Sequence, residues 1–302
     1  MTMTRSSFAD AMAPGFRQIF MDALKWGEKP PVINRVYNMP KTPNTQYIDD
    51  SYVTGFGLVP TKGEGTGSTY DDIYQGLDTR YTHETYSLAY RITKEWVEDE
   101  RYGLMAKLPK SLGRSMNATV ETDGANLFNN GFTTTGYNLG PAATYLFRTD
   151  HSFVTGGTQK NRHSNNVDLS PTSWEQANID LKDTTDDRGI LLNLQPTKLL
   201  YPNELNWKVD QMFNSPGLYD SANRTSNPMR RDNLEMIEWS YLTDEDAWFI
   251  ICDEHEANWF WRIMPDHYQG NDFDTDDAKF KVRARWKRGV SAYWGLYGSP
   301  GG

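Results

Sequence analysis

The sequence of 302 residues holds one cysteine, Cys252, and five histidines. A single thiol excludes an intramolecular disulfide and a cysteine-based zinc cluster, and its place at the end of the apolar run 249–252 argues against a thiolate nucleophile. No apolar run approaches the roughly 18 residues of a membrane span, and no charged-then-apolar export segment opens the chain. The expectation is a soluble protein of a reducing, cytoplasmic compartment, with no membrane partner. Basic residues are the minority, 31 Lys and Arg against 40 Asp and Glu, for a formal net charge of -9. With a pI near 5.1, the surface as a whole is unsuited to salt-dependent wrapping of nucleic acid, although a local basic face stays open. Apolar residues are also sparse, at 37% with a mean hydropathy of -0.72, below the usual share for a compact enzyme. Aromatic residues, in contrast, are plentiful at 13%. The length accommodates one large domain or two smaller ones, with much of the chain in arms and loops.

The clearest ordered signal is residues 90–132, YRITKEWVEDERYGLMAKLPKSLGRSMNATVETDGANLFNNGF. It reads as a strand, a short acidic helix and, after Pro109, a longer helix. Leu112, Met116, Val120 and Leu127 fall at steps of four, four and seven, which lines them along one helical face. Pro109 suits a first turn, and Asn129, Asn130 and Gly131 supply a C-terminal stop. A helix over 109–129 spans on the order of 30 Å, a spine with one apolar stripe and the character of scaffold.

Upstream, residues 7–26 have helical spacing at Phe8, Met12, Phe16, Phe20 and Leu24, interrupted by Pro14 and Gly15. Residues 27–50, rich in Pro, Asn, Lys and Thr, read as an extended arm. A short strand at 52–58, the loop 61–69 (TKGEGTGST) and a second extended run to Thr82 make a long hairpin. Tyr47, Tyr52, Phe56 and Tyr70 give arm and hairpin too little apolar mass for a core of their own. Both should therefore be ordered by a partner, most simply another copy of the chain.

Downstream, 136–146 and 151–166 are loop-rich. Ser170 caps a helix with Pro171 in its first turn and Trp174, Ala177 and Leu181 on one face. Gly189 precedes a buried-type strand, 190–194, and 198–201 reads as another. Pro202 opens a helix with Leu205, Val209, Met212 and Phe213 inward, and 215–232 reads as an exposed loop. Strands are expected at 234–242, 247–252 and 258–264. In a fourth, Phe280, Val282, Ala284 and Trp286 alternate with Lys279, Lys281, Arg283, Arg285 and Lys287. The tail, 293–302, is aromatic and then glycine-rich, and no solenoid repeat occurs.

No constellation of catalytic or ligand residues survives inspection. Asp272, Asp274 and Asp276 have the alternate spacing of a calcium loop, but Asp277 stands where glycine is needed and Arg283 where a bidentate glutamate is needed. An acidic turn paired with the following basic strand is the better reading. Asp253, His255, Glu256 and His267 are poorly spaced for a metal, and Trp259 occupies the position of the second histidine of a helical zinc-protease motif. His83, His151 and His163 read as isolated, solvated loop residues. Gly63, Gly65 and Gly67 match neither the P-loop nor the dinucleotide fingerprint, and no G-x-S-x-G elbow occurs. The sequons at Asn117 and Asn223 read as chance matches. Ten tryptophans among many carboxylates suit a sugar cleft, so an acidic carbohydrate-active hydrolase is the alternative from another class. Yet Trp239, Trp248, Trp259 and Trp261 lie in strand-like segments, where packing is the ordinary role.

The order of these parts resembles the major capsid proteins of tailed bacteriophages, the Hong Kong 97-type fold. The phrases that carry the likeness are ITKEWVEDERYG (92–103), YLFRTDHS (145–152), LSPTSWEQA (169–177), GILLNLQPTKLLYP (189–202), AWFIICD (247–253) and RARWKRGVSAYWGLYGSPG (283–301). The resemblance implies an α+β chain with an N-terminal arm, 1–50, and an extended hairpin loop, 51–81, laid over a neighbouring subunit. It further implies a peripheral domain with the spine helix, 82–135, an axial domain, 136–242, directed to the five- and six-fold axes, strands returning to the peripheral domain, 243–288, and a C-terminal tail, 289–302. The implied role is structural, a head protein that self-assembles as hexamers and pentamers into an icosahedral shell around double-stranded DNA, in the virion after assembly in host cytoplasm. No catalysis, cofactor or metal is expected. The spine strand comes early, so the long N-terminal scaffold segment of some relatives is not expected, and a separate scaffolding protein joins the portal and decoration proteins as implied partners. Lys62 lies where some relatives carry a cross-linking lysine, but nothing identifies an asparagine partner and no cross-link is expected. An encapsulin-like cellular shell of the same fold is the near alternative.

Overall fold

A computed structural model describes residues 8–24, 29–99, 103–133, 145–217, 226–231, 234–272, 275 and 277–302. In chain order the elements are α1 (Phe8–Leu24), α2 (Ile33–Val36), β1 (Tyr47–Val53), β2 (Gln75–Thr82), β3 (Glu84–Ile92), α3 (Lys94–Asp99) and α4 (Lys107–Asn129). There follow β4 (His151–Ser152), β5 (Thr158–Gln159), α5 (Pro171–Lys182), β6 (Pro196–Tyr201), α6 (Asn206–Phe213), β7 (Glu235–Glu238), β8 (Trp248–Cys252), β9 (Ala257–Asn271), β10 (Ala278–Val290) and β11 (Leu296–Ser299). Helix and sheet are thus mixed. The chain packs as two compact units, the first Met1–Ile48, Tyr81–Gly124 and Trp259–Arg288, the second Asp49–Arg80, Ala125–Asn258 and Gly289–Gly302.

The spine forms as its spacing dictates. Helix α4 starts two residues before Pro109, and Leu112, Met116, Val120 and Leu127 are all buried, each contributing roughly 1.5–3 kcal/mol by leaving water. The stop works differently from a left-handed glycine cap. Gly131 does not have positive φ; a Cβ there would come within 2.7 Å of the Phe147 ring. Gly131 is needed for a close approach.

In the first unit the sheet order is β3-β10-β9, with β10 antiparallel to β3 from Ala278 opposite Ile92 to Trp286 opposite Glu84. The alternation along β10 separates its faces: Phe280, Val282, Ala284 and Trp286 are buried, Lys279 and Lys281 exposed, and Arg283, Arg285 and Lys287 half-buried. Phe16 of α1 meets Phe280 edge-on at 5.3 Å, and Gly113 of α4 leaves room for the Phe20 carbonyl, 2.9 Å from where a Cβ would stand. Trp286 stacks on Tyr86 at 3.9 Å, and its indole N–H donates to Asp123 of α4 at 2.8 Å.

Two expectations for this unit need correction. Helix α1 runs unbroken through Pro14 and Gly15. An interior proline costs about 3 kcal/mol or more, but the buried side chains of Phe16, Phe20 and Leu24 on one face offset it at roughly 1.5–3 kcal/mol each. Ser7 and Trp26, the expected ends of this helix, lie outside the described residues. The arm 27–50 is also more than extended chain. Pro31, Ile33, Val36 and Tyr37 are buried around α2, the Val32 amide donates to the buried carboxylate of Glu121 at 2.7 Å, and the Tyr37 hydroxyl donates to the Gly124 carbonyl at 2.6 Å. Two polar contacts to α4 hold a segment whose composition reads as loop.

In the second unit a mixed sheet has the order β11-β8-β6-β7, parallel between β6 and β7 and antiparallel elsewhere. Every residue of β8 is buried, as a central strand covered on both faces requires. Helix α5 begins at the expected cap, where the Ser170 hydroxyl accepts from the Ser173 amide at 3.2 Å and the Ser173 hydroxyl accepts from the Ser170 amide at 2.8 Å. Its Trp174, Ala177 and Leu181 join Val209, Met212 and Phe213 of α6 in one core cluster.

Three segments of this unit differ from expectation. Residues 190–194 form no strand beyond a single bridge at Leu191, and Asn193 takes a left-handed φ of 51°, which a ladder does not admit. The loop 215–232 contains a buried anchor, Asn227, whose amide donates to the carbonyls of Met212 at 2.5 Å and Ser215 at 3.1 Å; residues 218–225, with the Asn223 sequon, lie outside the described residues. The glycine-rich tail is a core strand, since β11 pairs with β8 and is buried throughout. Of the loop expected at 136–146, residues 136–144 also lie outside the described set.

Candidate functional site

The hairpin forms the candidate site. Strands β1 and β2 pair as a two-stranded sheet, so β1 begins five residues earlier than the strand expected at 52–58. Its alternate residues are half-buried, and two of them are fastened within the second unit. Asp50 accepts from the Ser291 hydroxyl, and the Tyr52 ring lies 5.1 Å from Trp294. Gly76 is the one β2 residue that could not carry a side chain, because a Cβ would fall 2.4 Å from the Tyr52 ring. Arg80 closes the base with a bidentate pair to Asp49 at 2.6 and 2.9 Å.

Above that base, residues 54–74 form a long loop. The Thr54 amide donates to the Tyr74 carbonyl at 2.9 Å, and the Tyr74 amide returns to the Thr54 hydroxyl at 3.0 Å. Asp71 then collects the Gly57 amide at 2.9 Å and the guanidinium of Arg188, which also lies over the Tyr74 ring at 5.8 Å. These contacts hold the Asp71 carboxyl down at about 2, chiefly through Arg188 and then the Gly57 amide. Arg188 is presented by a tight turn in which the Asp186 carboxylate accepts the amides of Arg188 at 2.9 Å and Ile190 at 2.8 Å.

What the loop presents is apolar. Leu58 is 82% exposed, Val59 95% and Tyr70 96%, and Phe56, Ile73 and Tyr74 are each about half exposed. At the tip Gly65 takes φ of 74° and the Thr66 amide closes a turn on the Gly63 carbonyl at 3.2 Å. A loop with pinned ends and a water-facing apolar crown has the form of a protein-binding surface.

The residues weighed for chemistry occupy other roles. His151 is fully buried, stacks on Tyr293 at 4.1 Å and shares its Nε2 with the Leu146 carbonyl and the Asn161 side chain. Burial drives its pKa down to about 4, so it is neutral. His83, His255 and His267 are also buried and lowered, chiefly by desolvation, which corrects the reading of His83 and His151 as solvated. Only His163 keeps partial exposure, with its ring bonded to its own loop at the Asn165 carbonyl. Among the described residues no three His, Cys, Asp or Glu side chains gather as a metal site. Asp272 pairs with Lys279, as expected for an acidic turn beside the basic strand; Asp274 and Asp276 lie outside the described residues. Cys252 is buried and its thiol is pushed up to about 12 by desolvation and then by Asp253. Trp239, Trp248 and Trp259 are buried and Trp261, half-buried, packs 5.4 Å from both Trp259 and Trp286, so all four are placed as packing and not as a sugar-facing wall.

Comparison with known proteins bears on the same point. The model of the family described as phage capsid protein matches residues 76–298. No curated protein matched the sequence. Among solved structures, a chain of Mycobacterium phage Patience is similar with a TM-score of 0.56 at 10% identity, covering 97% of this chain and 87% of that one. A virus-like particle from Pyrococcus furiosus gives a TM-score of 0.51 at 10% identity, covering 95% and 98%. The procapsid of bacteriophage JBD30 gives 0.50 at 15% identity, covering 99% of this chain and 76% of that one. At such identities the likeness concerns the fold.

Proposed function

The chain belongs to the phage capsid protein family and is a structural capsid protein, and on that premise we propose that it is the major head protein of a tailed phage. Copies assemble as hexamers and pentamers into an icosahedral shell around double-stranded DNA, in the Hong Kong 97-type arrangement. The first unit is the peripheral domain, with residues up to 48 belonging to its arm; the second unit apart from the hairpin is the axial domain, which on this assignment takes in β8 from the segment 243–288 and β11 from the tail. The hairpin, 51–81, is the extended loop that covers a neighbouring subunit. A separate scaffolding protein and a portal take part in assembly in host cytoplasm, decoration proteins attach to the finished shell, and the protein itself performs no catalytic step.

The observation that carries this reading is the pinned loop with exposed Leu58, Val59 and Tyr70. That crown is costly in a monomer and is accounted for where a neighbour buries it. Deleting residues 55–67 should leave a folded subunit that no longer forms closed particles by electron microscopy. Normal particles from the deletion contradict the hairpin assignment. The similarity to a virus-like particle from a cellular organism motivates a second, less favoured reading, a compartment shell, and the contents of purified particles separate the two: packaged double-stranded DNA for the phage head, packaged protein for the compartment.

A further inference from the structure

Among the described residues, the first unit holds a set of basic side chains that no carboxylate pairs. His83 lies two residues before Thr85, the partner of Arg285 across the β3–β10 ladder, and therefore on the same sheet face as Arg285. Arg262 belongs to β9, six residues before Tyr268, whose ring lies 5.7 Å from the Lys281 ammonium of β10. Even spacing puts Arg262 on that face too. His83, at the junction just before β3, is thus brought together with Arg262 of β9 and Arg285 of β10, with Arg283 and Lys281 continuing the row. Arg285 and Arg262 are the charges that act on the His83 ring.

These groups carry buried nitrogens without partners, one guanidinium N–H on each arginine and a neutral imidazole with one N–H and one acceptor nitrogen. The Nε atoms of Arg262 and Arg285 and both ring nitrogens of His83 are buried with no hydrogen-bond partner. The nearby carboxylates are already engaged: Glu84 by Lys287 at 2.5 Å, Asp266 by Arg17 at 3.0 Å, Asp272 by Lys279, and Asp277 by Arg91 at 3.9 Å. Among the described residues Arg262, Arg283, Arg285 and Lys281 form no ion pair, in a chain whose acids outnumber its bases by 40 to 31. Like charges held together with orphaned N–H groups are unfavourable unless an anion completes them.

We propose that His83, Arg262 and Arg285 form an oxyanion site on the open face of the β3-β10-β9 sheet that takes a phosphate group. Two guanidinium Nε donors and one imidazole N–H exceed the two oxygens of a carboxylate and suit the three acceptor oxygens of a phosphate. Arg283 and Lys281 extend the positive row, so the phosphate can be a free ion or one link of a nucleic-acid backbone. The site does not depend on shell formation.

Isothermal titration of inorganic phosphate into the unassembled full-length chain tests it. Binding should weaken about ten- to a hundredfold in Arg262→Gln and in Arg285→Gln, and change less than about twofold in Lys208→Gln, an equal charge change on α6. Unfolding midpoints in phosphate-free buffer should be unchanged or higher in the two arginine variants, because each relieves repulsion. Competition by a short DNA duplex identifies the backbone as the source, and phosphate binding without competition identifies the free ion; both support the site. Absent phosphate binding, equal affinity in the arginine variants, or lower midpoints without anion overturn it. Assembly lost in those variants with phosphate affinity intact also overturns it, assigning the groups to a carboxylate of a second copy.

Discussion

The loop 54–74 and the segment 291–302 of the second unit are both made of glycines and aromatics, yet they end in opposite surroundings. In the C-terminal segment Tyr293, Leu296 and Tyr297 are buried, and the Tyr297 hydroxyl donates to the buried Asp180 carboxylate at 2.9 Å. In the loop Tyr70 and Val59 stand almost wholly in water. The difference lies in backbone pairing. Residues 296–299 find the free edge of β8, and their side chains are carried into a core already made by α5 and α6. Among the described residues the loop backbone is fastened at its base, by Thr54, Asp71 and Arg188, and its crown is left facing water. Composition alone therefore does not decide burial; an available edge does.

Glycine substitutions break the comparison most sharply. In the C-terminal segment Gly295 has φ of 77° and a Cβ would lie 1.9 Å from the Glu254 carbonyl oxygen, so Gly295→Ala should cost more than about 4 kcal/mol in denaturant unfolding of the unassembled subunit. The loop counterpart, Gly65→Ala, has φ of 74° and nothing within 4 Å, and should cost only the backbone preference, about 1 kcal/mol.

Acid should also separate the two segments. His151, stacked on Tyr293, has a folded pKa of about 4 against an ordinary 6.5. Below pH 6.5 the unfolded chain takes a proton that the folded chain refuses until about pH 4. Stability is therefore full above that window and falls through it, by on the order of 3 kcal/mol. His255, also lowered to about 4 by burial and then by Lys198, adds to the slope, and His151→Gln should flatten it in unfolding curves taken from pH 7 to 4. The loop pin loses its contribution in the same direction, as pH falls, but in a lower window. Asp71, with its pKa lowered to about 2 by Arg188, keeps its contribution above the ordinary 3.8 and loses it as pH falls through 2. Arg188→Gln should speed amide exchange at Gly57 at neutral pH while leaving the unfolding midpoint nearly unchanged.

Much of the first unit was legible in sequence because its signals are periodic. The stripe of α4 and the alternation of β10 determine which face turns inward before any tertiary contact is known. The hairpin was legible as two extended runs around a glycine loop, although its first strand was placed too late, since β1 alternates polar residues that only the contacts of Asp50 and Tyr52 select. What sequence reasoning missed depends on single long-range contacts. Glu121 and Tyr37 turn part of the arm into packed structure, and Asn193 interrupts an apolar run that reads as a strand. The burial of His83 and His151 has no local pattern at all, and for His83 the available signal was its step onto the basic face of β10.

The claim that the loop crown is built for a neighbour, whereas the tail is built for its own core, is tested most directly by one paired experiment on Tyr70→Ala and Tyr297→Ala. Each variant is measured for unfolding of the free subunit and for yield of closed particles. Tyr70→Ala should leave stability within about 0.5 kcal/mol and sharply reduce particles, while Tyr297→Ala should lose about 3–5 kcal/mol as a free subunit. Full particle yield from Tyr70→Ala, or a loss of subunit stability as large as that of Tyr297→Ala, contradicts the account.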